Sequence, residues 1–273
     1  MSSAVETAQL ALSCLDLTSL KDDDSDASIA VLAEAAHTRY GAPAALCVYP
    51  RWISVARAAL DARGLTEVKI ATVVNFPHGT DSAASVAKQT QAALAAGADE
   101  IDVVFHWQAL MAGDVQPGMA VVRAARVACD EVSQKRDDSV LLKVILETGE
   151  LRIPELIRQA SEAALDSGAD FIKTSTGKVR VNATPEAARI MLEVIRDHAL
   201  RQNCSLMASA GFKAAGGVTT MAEATQYFAL ARSLLGQDWV SPKRFRFGAS
   251  SLLKSVLGTL RGDGQNSADA TGY

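Results

Sequence analysis

Three lysines stand within or at the ends of short apolar runs in the second half of this 273-residue chain. Lys143 lies in Leu141-Leu142-Lys143-Val144-Ile145, Lys173 in Phe171-Ile172-Lys173-Thr174-Ser175-Thr176-Gly177, and Lys213 in Gly211-Phe212-Lys213. A lysine in a buried strand is costly to desolvate, so chance rarely leaves three of them there. If the strands are neighbours, the ammonium groups converge on one pocket. Two such charges about 5 Å apart at an effective dielectric of about 20 repel by roughly 3 kcal/mol, which favours the neutral amine on one of them. A neutral lysine amine adds to carbonyls and forms a Schiff base.

The rest of the composition removes several other classes. The formal charge is −4, signs are mixed along the chain, and no basic-aromatic stripe appears, which argues against a nucleic-acid surface. Cys14, Cys47, Cys129 and Cys204 are scattered with no Cys-x-x-Cys pair, the pattern of buried reduced thiols in a cytoplasmic protein. His37, His78, His106 and His198 have no metal-ligand spacing, so no metal site is expected. The opening residues Met1 to Thr7 lack the basic and apolar regions of a signal peptide, and no uncharged apolar run approaches the roughly 18 residues of a membrane span.

The elements that must position the lysines follow from periodicity. Apolar runs rich in β-branched residues at 12–16, 44–49, 68–76, 100–105, 140–147, 171–176, 205–212 and 244–249 read as strands. Amphipathic, alanine-rich stretches at 26–39, 50–63, 82–96, 117–135, 153–167, 184–199 and 219–235 read as helices, after a short N-terminal helix. Such alternation implies parallel strands with crossover helices, and eight units close into a (β/α)8 TIM barrel. A doubly wound open sheet is the rival, but no Gly-x-Gly-x-x-Gly follows any strand. The phrase Gly-Ala-Asp recurs at 97–99 and 168–170, where a helix would end at glycine before a strand. With no linker-like interior segment, residues 1–261 are expected to form a single barrel domain. Gly262 to Tyr273, polar and glycine-rich, is read as a flexible C-terminal tail.

Active sites of such barrels lie at the C-terminal strand ends. Along those ends stand Asp16, Cys47, Asn75, Asp102, Lys143, Lys173 and Lys213, followed by Gly248-Ala249-Ser250-Ser251. Phosphate recognition needs backbone N–H groups, hydroxyls and a cation. Gly177 with Lys178, Gly216 with Gly217, and Gly248 with Ser250 and Ser251 supply all three from the last three strands, and the serines would open a final helix.

These phrases resemble the deoxyribose-phosphate aldolases, a class I (Schiff-base) family, from about Leu12 to Leu257 and again at Tyr273. The resemblance is carried by Leu15-Asp16-Leu17-Thr18, Cys47-Val48-Tyr49-Pro50, Asn75-Phe76-Pro77-His78-Gly79 and Glu100-Ile101-Asp102-Val103-Val104. It continues through Leu142-Lys143-Val144-Ile145, Glu147-Thr148-Gly149-Glu150, Lys173-Thr174-Ser175-Thr176-Gly177, Gly211-Phe212-Lys213 and Arg246-Phe247-Gly248-Ala249-Ser250-Ser251. The sequence departs from the family pattern at Ala214, where proline is usual, and at Phe105-His106-Trp107-Gln108, which replaces a Phe-Pro-containing phrase.

The resemblance implies a lyase that reversibly cleaves 2-deoxy-D-ribose 5-phosphate to D-glyceraldehyde 3-phosphate and acetaldehyde, without metal or organic cofactor. It places the Schiff base on Lys173, with Lys213 as the charged neighbour and Asp102 handling protons and the carbinolamine hydroxyl. Asp16 and Lys143 would be partners across the site. A catalytic Tyr273 at the C-terminus and a homodimer are likewise implied. Three rival readings remain: a transaldolase-like Schiff-base enzyme, a phosphosugar isomerase using Glu147 as base, and a non-catalytic phosphate-binding barrel.

Overall fold

A computed structural model describes residues 3–135 and 138–262. Eight parallel strands close in sequence order into a barrel, each paired with its neighbours in the chain and the last with the first. They are β1 Leu15–Ser19, β2 Ala45–Val48, β3 Lys69–Val74, β4 Glu100–Val104, β5 Leu141–Ile145, β6 Phe171–Lys173, β7 Gly211–Ala215 and β8 Phe245–Ala249. Helices α1 Ala4–Ser13, α2 Asp26–Ala36, α3 Ile53–Asp61, α4 Ala83–Ala95, α5 Trp107–Met111 and α6 Gln116–Ser133 belong to the first half. Then come α7 Thr148–Leu151, α8 Pro154–Asp166, α9 Pro185–Arg201, α10 Met221–Leu235 and α11 Leu252–Arg261. The expected TIM barrel and its short N-terminal helix are therefore present. Among the described residues no helix is long and apolar enough to cross a membrane.

Side chains alternate across each strand. Outward residues such as Leu17, Leu46, Ile70, Ile101, Leu142, Val144, Ile172, Phe212 and Phe245 pack against the helices in one continuous core. Each fully buried side chain of this size contributes about 1.5–3 kcal/mol. The inward faces hold something else. Strands β4 to β8 and β1 turn charged groups into the barrel, while Ala45, Cys47, Ala71 and Val73 of β2 and β3 form a small separate apolar wall opposite them.

Two expected strands are displaced. The first was expected at 12–16, but Leu12 is buried on α1, whose Ser3–Glu6 capping box commits the segment to helix, so β1 begins only after Cys14. The seventh was expected at 205–212, yet Leu206–Ala208 forms a 3-10 turn and β7 runs on through Ala214 and Ala215. The Ser209 hydroxyl donates to the Leu206 carbonyl and stabilises that turn. Helices α5 and α7 are short additions that periodicity did not indicate. Residues 263–273, including Tyr273, lie outside the described residues.

Both Gly-Ala-Asp phrases act as the repeat suggests and do one thing more. Gly97 and Gly168 adopt φ of 104° and 95°, ending their helices. The following aspartates then fix the strand starts: Ile70 N–H donates to Asp99 at 2.8 Å, and Leu142 N–H donates to Asp170 at 2.7 Å. At the foot of β7, Gly211 leaves room for the inward ring of Phe171, which a Cβ there would approach to 2.4 Å. Gly211→Ala should therefore lower stability by about 1–3 kcal/mol, read as a reduced denaturant midpoint at unchanged m value. An unchanged midpoint would mean that the ring relocates freely.

Candidate active site

Strand register assembles the charged groups. Asp102 of β4 stands opposite Lys143 of β5, Lys173 of β6 opposite Lys213 of β7, and Lys213 opposite Arg246 of β8. Glu100, two residues before Asp102, faces the same way. All seven side chains in this cluster are essentially removed from solvent, none more than 6% exposed.

Asp102 is the hub, accepting from Lys143 at 2.9 Å and from Lys173 and Lys213 at 2.8 Å each. Lys143 also donates to Glu100, and Lys213 to Asp16. Arg246 bridges Asp16 and Glu100, reaching the latter at 2.9 Å. Asp16 and Lys143 are 3.7 Å apart, so their expected partnership is secondary to the bonds of Asp16 with Lys213 and Arg246. Within the cluster Lys173 pairs with Asp102.

Burial alone would push every one of these groups toward its neutral form. Opposite charges outweigh it. Burial raises Asp16, Glu100 and Asp102, yet the cations around them hold all three carboxyls below the usual range: Lys213 and Arg246 foremost for Asp16, and Lys143 foremost for Glu100 and Asp102. Burial lowers Lys143 and Lys213, but Asp102 with Glu100 or Asp16 raises both above the usual lysine value, and Arg246 is raised likewise. The repulsion expected among the lysines is thus opposed by interleaved carboxylates. With all seven groups ionised, four cations face three carboxylates and one positive charge remains in excess.

Above this cluster opens a cleft of about 310 Å³ whose lining includes Lys173. Every residue read as a phosphate ligand lines it: Gly177, Lys178, Gly216, Gly217, Gly248, Ser250 and Ser251. Gly177, Gly216 and Gly217 have φ of 82°, 79° and 87°, a left-handed backbone that exposes amides at low steric cost. Ser251 is the N-cap residue of α11 but makes no side-chain cap bond, so its hydroxyl is not spent on the helix. Gly248 is needed for another reason: a Cβ there would lie 3.0 Å from Cε of Lys213. Lys178 reaches across the mouth to donate to the Leu20 carbonyl at 2.6 Å.

Sequence reasoning missed Glu100 and Arg246, and also the wall formed by Thr18, Ser19 and Leu20. Spacing could have found them: Glu100 and Arg246 share a face with Asp102 and Gly248, and Thr18 shares one with Asp16. Cys47 and Asn75, read as strand-end pocket residues, do not line the cleft. Cys47 sits in the apolar wall, where burial raises its thiol pKa. Asn75 donates to the Val104 carbonyl and accepts from Asp81 N–H, fixing its own loop. The two departures from the family pattern are absorbed locally: Ala214 lies in an unbroken β7, His106 accepts from Ala109 N–H to cap α5, and Gln108 donates to the His78 carbonyl. Among the described residues no group of three or more His, Cys, Asp and Glu side chains is arranged to hold a metal ion.

A cleft lined by a lysine and by glycine and serine loops, at the C-terminal mouth of a (β/α)8 barrel, is the place where barrel enzymes hold their substrates. The chain belongs to the DeoC/LacD family aldolases, whose sequence model matches residues 10–257, and the enzyme is accordingly a carbon–carbon lyase. A Toxoplasma gondii ME49 structure assigned as a deoxyribose-phosphate aldolase superposes with TM-score 0.82 at 26% identity, covering 94% of this chain and 95% of that one. A Coccidioides immitis structure with the same assignment gives 0.73 at 27%, covering 94% and 87%. The fold is shared with the tetrameric deoxyribose phosphate aldolase of Aeropyrum pernix, with TM-score 0.70 at 21% identity over 94% and 92%.

The ionisation pattern sets a pH window. Asp16, Glu100 and Asp102 have depressed folded pKa values, so below about pH 4 the unfolded chain takes up protons that the native state resists, and stability falls. Lys143 and Lys213 are raised, so their contribution is complete below about pH 10 and is lost as pH rises through their folded values. Urea midpoints should therefore drop below about pH 4, with a shallower acid slope in Asp16→Asn. A wild-type midpoint flat from pH 7 to pH 3 would contradict this account.

Proposed function

We propose that the chain reversibly cleaves 2-deoxy-D-ribose 5-phosphate to D-glyceraldehyde 3-phosphate and acetaldehyde through a Schiff base on Lys173. The observation that carries this is the position of Lys173, which alone among the described residues expected to be catalytic both lines the cleft and bonds the buried cluster. The assigned activity of the Toxoplasma and Coccidioides relatives supports the substrate.

In the cleavage direction the neutral Lys173 amine adds to the C1 aldehyde, giving a carbinolamine. Asp102, 2.8 Å from the Lys173 amine, is placed to hydrogen-bond its hydroxyl, which leaves as water to form the iminium. The C3 hydroxyl gives up its proton, the C2–C3 bond breaks, and its electron pair neutralises the iminium as an enamine while glyceraldehyde 3-phosphate departs. Protonation of the enamine carbon and hydrolysis then release acetaldehyde and the amine. Lys213, held charged by Asp16 and Asp102, and water between it and the substrate would carry the protons. In this reading Tyr273 delivers the proton to the enamine carbon, and the phosphate rests on Gly177, Gly216, Gly217 and the opening of α11. Homodimeric assembly and a cytoplasmic location belong to the same proposal.

The isomerase alternative loses support because the Glu147 carboxylate is bonded to Thr176 and does not line the cleft. Borohydride reduction with acetaldehyde should tag Lys173, and Lys173→Leu should abolish both tag and turnover. Tagging at Lys213 with Lys173 untouched would reverse the two roles, and no tag at all with full turnover would favour non-imine chemistry. Deleting Tyr273 should strongly slow deuterium exchange into acetaldehyde while trapping at Lys173 persists. Equal exchange rates in the truncated and full-length enzymes would remove the tyrosine from the mechanism.

A further inference from the structure

Glu147 follows β5 and is 1% exposed, yet none of the steps above uses it. Its backbone is left-handed, at φ 59° and ψ 54°. A non-glycine residue held there is strained by about 1–3 kcal/mol, where glycine would be at ease. The side chain must therefore do something that glycine cannot. It makes no cap bond to α7, the helix it precedes. Instead the carboxylate crosses to the segment after β6, accepting from Thr176 N–H at 3.2 Å and from the Thr176 hydroxyl at 2.5 Å.

The contact extends in both directions along the chain. Thr148 N–H donates to the Thr174 carbonyl at 2.9 Å, joining the two strand ends side by side. The Thr176 hydroxyl, having donated to Glu147, accepts Lys178 N–H at 3.0 Å. The amides of Thr176 and Lys178 are thus both turned inward to protein acceptors. Gly177 lies between them with its left-handed φ, on the cleft lining beside Lys178. The turn that exposes Gly177 is fixed from below by one buried carboxyl group. Lys173 has its own partner in Asp102, so Glu147 is not needed to hold the amine.

We infer that Glu147 is a positioning residue for phosphate recognition, acting through Thr176 to hold the Gly177–Lys178 turn in its anion-receiving shape. The inference rests on the proposed reading of the cleft as the sugar-phosphate site. Burial raises the carboxyl pKa of Glu147, with the two Thr176 bonds and the Lys173 charge opposing.

Three variants separate this role from a general structural one. Glu147→Gly removes the carboxyl group while accepting the left-handed backbone, Thr176→Val removes the hydroxyl relay, and Glu147→Gln keeps an amide oxygen for Thr176 N–H. Glu147→Gly and Thr176→Val should each raise KM for 2-deoxyribose 5-phosphate and the inhibition constant of inorganic phosphate by about tenfold, the scale of one hydrogen bond to a charged group. Glu147→Gln should recover most of that loss. In all three, borohydride trapping of acetaldehyde on Lys173 and kcat/KM with unphosphorylated 2-deoxyribose should change by less than about twofold. Equal losses on both sugars, or unaltered phosphate inhibition in Glu147→Gly, would overturn the inference. A wild-type enzyme that fails to trap acetaldehyde would instead overturn the proposed function, so the two failures are told apart.

Discussion

Burying a carboxylate or an ammonium ion costs several kcal/mol even after the protein relaxes, and this barrel buries seven charged groups in contact. The arrangement is tenable because each ion is the counterion of at least one other, with Asp102 shared by three lysines. That mutual dependence constrains the strands around it. Moving β5, β6 or β7 by one residue relative to its neighbours would turn its lysine outward and strand a carboxylate, since side chains alternate with period two. Removing one member leaves an uncompensated buried charge, on the order of 3–5 kcal/mol. The cluster thus fixes register as well as chemistry. The small inward residues of β2 and β3 and the glycine at 248 leave the space it occupies.

The same bookkeeping bears on reactivity. Four cations against three carboxylates leave one positive charge too many, and conversion of Lys173 to the neutral amine would leave three of each. An iminium on Lys173 restores the positive charge at the same atom, beside the same Asp102 carboxylate. The site therefore already contains the counterion that such an intermediate needs, with no rearrangement at the moment of reaction, which is the preorganised electrostatics on which catalysis by fixed charges relies. Lys213 and Lys143 are held more firmly as cations, each by two close carboxylates, and are poorer candidates for the nucleophile.

Much of this was legible in the chain. Eight apolar runs separated by helical stretches gave the barrel, and three lysines in strands marked its interior. What one sequence could not supply was the register between strands. The interleaving of carboxylates with the lysines follows from pairings such as Asp102 with Lys143 and Lys213 with Arg246, which depend on shear around the closed sheet. Hence repulsion among the lysines and a pairing of Asp16 with Lys143 were anticipated, while the full interleaving of three carboxylates with four cations was not. Glu100 and Arg246 were passed over because each reads alone as a polar strand edge. The first and seventh strands were misplaced where helix caps and a hydroxyl-stabilised turn, rather than apolar content, decide the boundary. Glu147 was invisible as a positioning group because its partner is 29 residues away, in the segment after the next strand.

The site consequently divides into two parts with different physics. The amine and its counterions project from paired strands, where hydrogen-bonded register holds them and small displacements strand a charge. The proposed anion cradle is made of loop amides at left-handed glycines, which tolerate backbone change and carry little packing energy. The proposed imine chemistry would require a rigid floor, because it depends on the placing of one nitrogen against one carbonyl carbon. A cradle of backbone N–H groups needs fixing only at its ends, by a helix start on one side and by a buried carboxyl group on the other. Substitutions in the loops should therefore alter which aldehyde is held, while substitutions in the strands alter whether the nitrogen reacts at all. The departure at Ala214 illustrates the boundary: it lies in a strand, faces the helices and leaves the inward neighbours Lys213 and Ala215 in place.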